Sequence, residues 1–100
     1  MLTRDEIVKK LRDRQSYLAA EYGVCKIGIF GSYARGAATE QSDVDLVVEF
    51  AKPIGFKFLD LADYLETLLG QKVDLLTPAG IQNIRRERVA KAISQSIVYV

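Results

Sequence analysis

The stretch that decides the fold is Ser42-Asp43-Val44-Asp45-Leu46-Val47-Val48-Glu49-Phe50. Side chains of an extended segment alternate between its two faces. A strand from Val44 to Phe50 therefore turns Val44, Leu46, Val48 and Phe50 to one side and Asp43, Asp45, Val47 and Glu49 to the other. The first face is built for a core, and the second for solvent or a ligand. A parallel sheet covered on both sides would need strands that are apolar throughout. The alternation points instead to a small mixed sheet with helices packed mainly on one face.

Toward the N-terminus, Val24 to Phe30 is β-prone, with Cys25, Ile27 and Ile29 alternating against Val24, Lys26, Gly28 and Phe30. On that alternation Cys25 is expected to be inert core. Gly28 either leaves room for a ligand or is a strand glycine with none. Between the two strands, Gly31 to Ser42 has room for one or two helical turns. Further upstream, Thr3 and Glu6 form a capping-box pattern. Ile7, Leu11, Leu18 and Tyr22 then recur at helical spacing, predicting one helix that ends at Gly23.

Toward the C-terminus, Pro53 and Gly55 mark a loop, and Phe58, Leu59, Ala62, Leu65, Leu68 and Leu69 supply a helical apolar face ended by Gly70. A third strand is expected over residues 72–76. Thr77 and Pro78 open a last helix with Ile81, Ile84, Val89, Ala92 and Ile93 as its buried stripe. Ile97 to Val100 is either an edge strand or a docked tail. The order is αβ(α)βαβα, an α/β (α+β) layer architecture, expected as a single domain over residues 1–100.

Composition narrows the chemistry. With 100 residues and 49% hydrophobic content, there is enough for one core. A net charge of +1 lacks the basic excess on which non-specific nucleic-acid binding relies. The basic run Arg85, Arg86, Arg88 and Lys91 reads more readily as a solvated helix face than as a binding stripe. The tyrosines show no spacing of a stacking platform and are expected to be mostly half-buried packing residues. One cysteine cannot form an intrachain disulfide, and no stretch resembles a membrane span or a signal peptide, so a cytoplasmic protein is expected. The absence of histidine removes Ser-His-Asp catalysis, Cys-His catalysis and every His-containing zinc site. What remains is carboxylates, hydroxyls, backbone amides and cations, and hard oxygen ligands select magnesium or manganese.

Gly31-Ser32 follows a strand and precedes a helical turn, a place where free amides and the helix dipole favour phosphate. By itself a Gly-Ser turn is more often only a turn. Asp43 and Asp45 project from one face about 6–7 Å apart along the strand. Carboxylates so spaced can share divalent ions about 3.5–4 Å apart, the arrangement used for in-line displacement at phosphorus. Asp74 lies inside the third strand and shares that face if the two strands are neighbours. The helix between them suits a parallel crossover.

Gly31-Ser32-Tyr33-Ala34-Arg35-Gly36, followed by Ser42-Asp43-Val44-Asp45-Leu46, resembles the glycine-serine and Asp-x-Asp signature of the DNA polymerase β-like nucleotidyltransferase superfamily. Within it, the likeness is to the minimal nucleotidyltransferases of prokaryotes, often the antitoxin halves of HEPN/MNT toxin–antitoxin pairs. The resemblance implies that Gly31 and Ser32 hold the phosphates of an NTP. It implies that Asp43 and Asp45 bind two magnesium ions, and that Asp74 completes the metal site and helps activate the acceptor hydroxyl. Arg35 matches the motif's arginine, and both a phosphate contact and a bracing role stay open for it. By the same resemblance the donor is ATP and the acceptor a tyrosine of a HEPN toxin.

Two other readings stand beside this one. A non-catalytic module could neutralise a partner by contact alone, or a nucleotidyltransferase could act on a small molecule such as an aminoglycoside. A dinucleotide-binding fold is set aside, because Gly28, Gly31 and Gly36 do not form the required G-x-G-x-x-G.

Overall fold

A computed structural model of the chain describes residues 2–39, 41–51, 55, 57–78 and 97–100. The chain opens with helices α1 (Arg4–Asp13) and α2 (Gln15–Tyr22), then strand β1 (Val24–Phe30) and a single-turn helix α3 (Gly31–Ala34). Strand β2 (Val44–Phe50), helix α4 (Lys57–Leu69), strand β3 (Val73–Leu76) and a two-residue strand β4 (Val98–Tyr99) follow. The four strands form one sheet in the order β3-β2-β1-β4. β1 runs antiparallel to β2 and β4, while β2 and β3 are parallel, so the sheet is mixed. The C-terminal apolar segment is thus an edge strand. Thr77 and Pro78, the expected opening of the last helix, are described and Pro78 is helical, while the rest of that helix with its basic run lies outside the described residues, as does Pro53.

The capping box forms as the sequence predicts: the Thr3 side chain accepts from the Glu6 amide, and the Glu6 carboxylate accepts from the Thr3 amide. The single long helix does not. The chain turns at Arg14 (φ −112°, ψ 6°), splitting it into α1 and α2. The turn lets α2 lie on β1 and α4 while α1 packs on α4. Gly23 then ends α2 in the left-handed region at φ 69°, as a helix-stopping glycine should.

Helices α1, α2 and α4 cover one face of the sheet. Val44, Leu46 and Val48 of β2 are wholly buried there with Ile7, Leu11, Leu61 and Leu65. The face α4 buries is Leu61, Leu65 and Leu69, not the stripe expected through Leu59. Six residues at about 100° each put Leu59 about 120° round the helix from Leu65. It is accordingly 65% exposed.

β1 departs from simple alternation. Val24 pairs with Phe50 and Lys26 with Glu49, leaving Cys25 as an extra residue, a β-bulge. The bulge resets the faces, so that Val24 joins Ile27 and Ile29 in the core while Cys25 is exposed. The expectation of an inert core cysteine is therefore corrected; its thiol donates to the Glu49 carbonyl at 3.3 Å. The expectation of mostly half-buried tyrosines is also corrected: Tyr22 and Tyr33 are buried, Tyr17 and Tyr99 are exposed, and only Tyr64 is half-buried. Tyr17 and Tyr64 pack with ring centroids 5.0 Å apart, and Tyr22 joins them at 6.2 and 6.1 Å. Among the described residues no helix is long and apolar enough to cross a membrane.

Candidate active site

The opposite face of the sheet carries the acids. In register, Phe30 at the end of β1 faces Asp45, and Asp45 in turn faces Asp74 of β3. Adjacent strands lie about 4.8 Å apart, so these two carboxylates rise side by side from neighbouring backbones. Asp43 stands one residue before β2. It is presented by a turn in which the Ser42 hydroxyl accepts from the Thr39 amide at 2.9 Å and the Ser42 amide donates to the Thr39 carbonyl at 3.0 Å. Asp43 and Asp74 are exposed and Asp45 is half-buried.

The electrostatics mark Asp45 as the centre of this group. Its carboxyl is pushed above the ordinary carboxylate range, first by burial, then by the negative charges of Asp74 and Asp43; the Arg35 guanidinium opposes the shift. Four of the six expected site residues, Asp43, Asp45, Asp74 and Arg35, therefore meet at Asp45. Among the described residues, no three acidic or thiol side chains are placed, as they stand, to hold a metal ion together. Asp45 and Asp74 stand in register on adjacent strands, and the exposed Asp43 lies two residues before Asp45. Acid charge accumulates at Asp45, Arg35 opposes it, and the donors are all hard carboxylate oxygens, the donor chemistry that a hard divalent cation takes.

Gly31 and Ser32 stand directly beside this cluster. Gly31 has φ +73°, a region that only glycine enters without cost. A Cβ placed on it would also run into the Asp45 carboxylate, 3.1 Å from its carbon Cγ. The missing side chain thus serves twice, for the turn and for the approach of backbone to the acid. Gly31 and Ser32 begin α3, where the first amides of a helix have no intrahelical acceptor.

The turn is braced from several directions. Arg4 Nη1 donates to the Ala34 carbonyl at 3.1 Å, and the Ala37 amide donates to the Ser32 carbonyl at 2.8 Å. The Tyr33 hydroxyl donates to Gln71 Oε1. Arg4 and Gln71 were not singled out from the sequence, and neither carries a local signal that would have found it. Gly28 belongs elsewhere. A Cβ there would meet Ile97 at 2.6 Å and Tyr99 at 3.1 Å, so the space left by the missing side chain is taken by the C-terminal segment and not by a nucleotide pocket.

The chain matches the nucleotidyltransferase domain family over residues 4–100. It is 43% identical over 101 residues to the protein adenylyltransferase MntA of Thermococcus cleftensis, spanning 100% of this chain and 98% of that one. A Methanocaldococcus jannaschii relative, assigned the same activity provisionally, is 44% identical over 103 residues and 100% of both chains. Among solved structures, a protein described provisionally as a minimal nucleotidyltransferase superposes with a TM-score of 0.75 at 28% identity, covering 97% of this chain and 95% of that one. A toxin–antitoxin complex solved with AMP-PNP shares the fold, with a TM-score of 0.64 at 24% identity over 98% of this chain and 72% of that one. With the glycine turn set against paired aspartates and a match spanning nearly its whole length, the chain belongs to the nucleotidyltransferase domain family, and it is a nucleotidyltransferase.

Proposed function

We propose that this chain is a magnesium-dependent protein adenylyltransferase that moves AMP from ATP to a tyrosine hydroxyl of a cognate HEPN-type toxin, and so acts as the antitoxin. The observation that carries the reading is the register of Asp45 against Asp74 with Gly31 abutting Asp45, which sets a backbone turn suited to phosphate beside paired acids. The 43% identity to a protein named as a protein adenylyltransferase supports the choice of AMP and of a protein acceptor.

In this reading Gly31 and Ser32 bind the nucleotide phosphates through the α3 amides and the Ser32 hydroxyl. Asp43, Asp45 and Asp74 hold the metal. When bound, it neutralises charge on the phosphates and on the departing pyrophosphate. Asp74, exposed at the edge strand, takes the proton of the attacking hydroxyl as that oxygen bonds to the α-phosphorus and the bond to pyrophosphate breaks. Arg35 lies close enough to weaken the acid repulsion at Asp45 and offers a second cation to the phosphates.

The test is incubation of the chain with magnesium, α-labelled ATP and its HEPN-type partner. Label should appear on the partner, and the paired change Asp43→Ala, Asp45→Ala should abolish it. Should label never appear while the double variant still protects cells, neutralisation is by contact and the enzyme reading fails. Label on an aminoglycoside in place of the partner would move the acceptor to a small molecule.

A further inference from the structure

Three consecutive residues at the entry to β3 are bonded to three different elements. Gln71 accepts from the Tyr33 hydroxyl of α3, the Lys72 carbonyl accepts from the Val44 amide of β2 at 2.9 Å, and the Val73 amide donates to Glu66 Oε2 of α4 at 3.3 Å. Asp43 directly precedes one member of this knot and Asp74 directly follows another. The β2 and α4 bonds set the two acid-bearing strands against each other and against the helix between them. The remaining bond reaches the turn that carries Gly31 and Ser32.

Tyr33 is 2% exposed, and a buried phenol needs an acceptor wherever it points. What sets this one apart is where the acceptor sits. Gln71 is 38 residues away, on the segment that positions Asp74, and not within the α3 turn itself. We infer that the Tyr33–Gln71 bond is a latch that holds the phosphate-binding turn in register with the acids, so that it governs the rate of transfer and not the affinity for nucleotide. Tyr33 and Gln71 are positioning residues: neither reaches the reacting atoms, and both act through Gly31, Ser32 and Asp74. The inference rests on the nucleotidyltransferase reading of the site. Its physical basis is that small misplacements of reacting groups slow a reaction far more than they weaken binding.

The experiment compares the intact chain with Tyr33→Phe, Gln71→Leu and the double variant, measuring affinity for AMP-PNP with manganese and the rate of AMP transfer to the partner. Each single variant should lose between about 10- and 100-fold in rate while affinity changes less than about twofold. The double variant should be no slower than either single one, because both remove the same bond. Gln71→Glu, which keeps an acceptor oxygen at the same reach, should stay within about threefold of the intact chain. Equal losses of rate and affinity, or a double variant whose loss is the product of the two, would overturn the latch. If the unaltered chain neither binds AMP-PNP nor transfers AMP, the reading of the site fails instead. Amide exchange across residues 31–36 then decides the latch independently: faster exchange in both single variants upholds it, and unchanged exchange rejects it.

Discussion

The two faces of β2 come from one stretch of chain, yet they obey different rules. On the helix side Val44, Leu46 and Val48 are each 0% exposed and share one core cluster with apolar residues of α1, α2 and α4. On the other side the strand changes character along its length. It carries Asp45 beside Asp74 near its start, then Val47 packed with Phe30, Leu76 and Ile97, and finally Glu49 paired with Lys26. One face is uniform because its task is burial; the other is graded because a site occupies one end of it. Cutting Leu46 to alanine tests the first rule and should have the largest effect on stability. Removing a fully buried leucine costs about 2–5 kcal/mol through lost burial and the cavity left behind. Urea unfolding followed by circular dichroism measures it, and a loss below about 1 kcal/mol would mean that the helices do not close over this face.

Gly31 is the point at which the graded face meets the turn, and Gly31→Ala should be the next largest change. The positive φ alone costs an alanine about 1–2 kcal/mol. The collision with the Asp45 carboxylate adds to this unless the acid moves away. Either outcome separates the turn from the acid. AMP-PNP titration should therefore show a loss of affinity far beyond what the stability change explains. Retained affinity would place the phosphates somewhere other than this turn.

How much of this was legible in the chain depends on whether local or distant contacts decide each feature. The core face of β2, the capping box at Thr3 and the parallel neighbours bearing Asp45 and Asp74 follow from period, spacing and connection length, and the structure agrees with each; Val47, on the face expected to meet solvent or a ligand, is instead buried in a second apolar cluster. The bulge at Cys25 is set by how β1 pairs with β2, which no periodicity in β1 records. The turn at Arg14 arises where helices must lie on both β1 and α4, and the seven-residue interval from Leu11 to Leu18 is compatible with an unbroken helix. Leu59 and Leu61 were equally apolar choices until the sheet selected one arc of α4. Gln71 was invisible because its partner is Tyr33, far away in sequence, and a glutamine after a helix-ending glycine carries no signal of its own.

Asp45→Asn tests the charged part of the graded face without altering its shape, and its effect should reverse the usual sign of a site mutation. The folded protein raises the Asp45 pKa above its ordinary 3.8, so it binds this proton more readily than the unfolded chain does. Stability at this position therefore falls as pH rises through the interval between the two values, and the penalty is complete above the folded one. At neutral pH the asparagine variant should melt at a higher temperature than the unaltered chain. The difference should shrink as the pH falls toward 3.8 and should also shrink when magnesium is added. A variant that melts lower at neutral pH would mean that Asp45 is held as an anion by donors and not strained by its acid neighbours.

The far end of the same face should respond least. Lys26 and Glu49 are 4.0 Å apart, with side chains 67% and 41% exposed, and the lysine also lies 5.9 Å from the centre of the Tyr99 ring. Water screens a pair this open, so Glu49→Gln should change stability by less than about 0.5 kcal/mol and leave nucleotide affinity untouched. The same charge-removing change, carboxylate to amide, is then made at two positions on one face of one strand. At Asp45 it should stabilise the fold in a pH-dependent way, and at Glu49 it should do almost nothing, because only the first acid is confined with others of its own sign. If the two substitutions behave alike across pH, the grading of this face is one of shape alone, and the repulsion at the acid end makes no separate contribution.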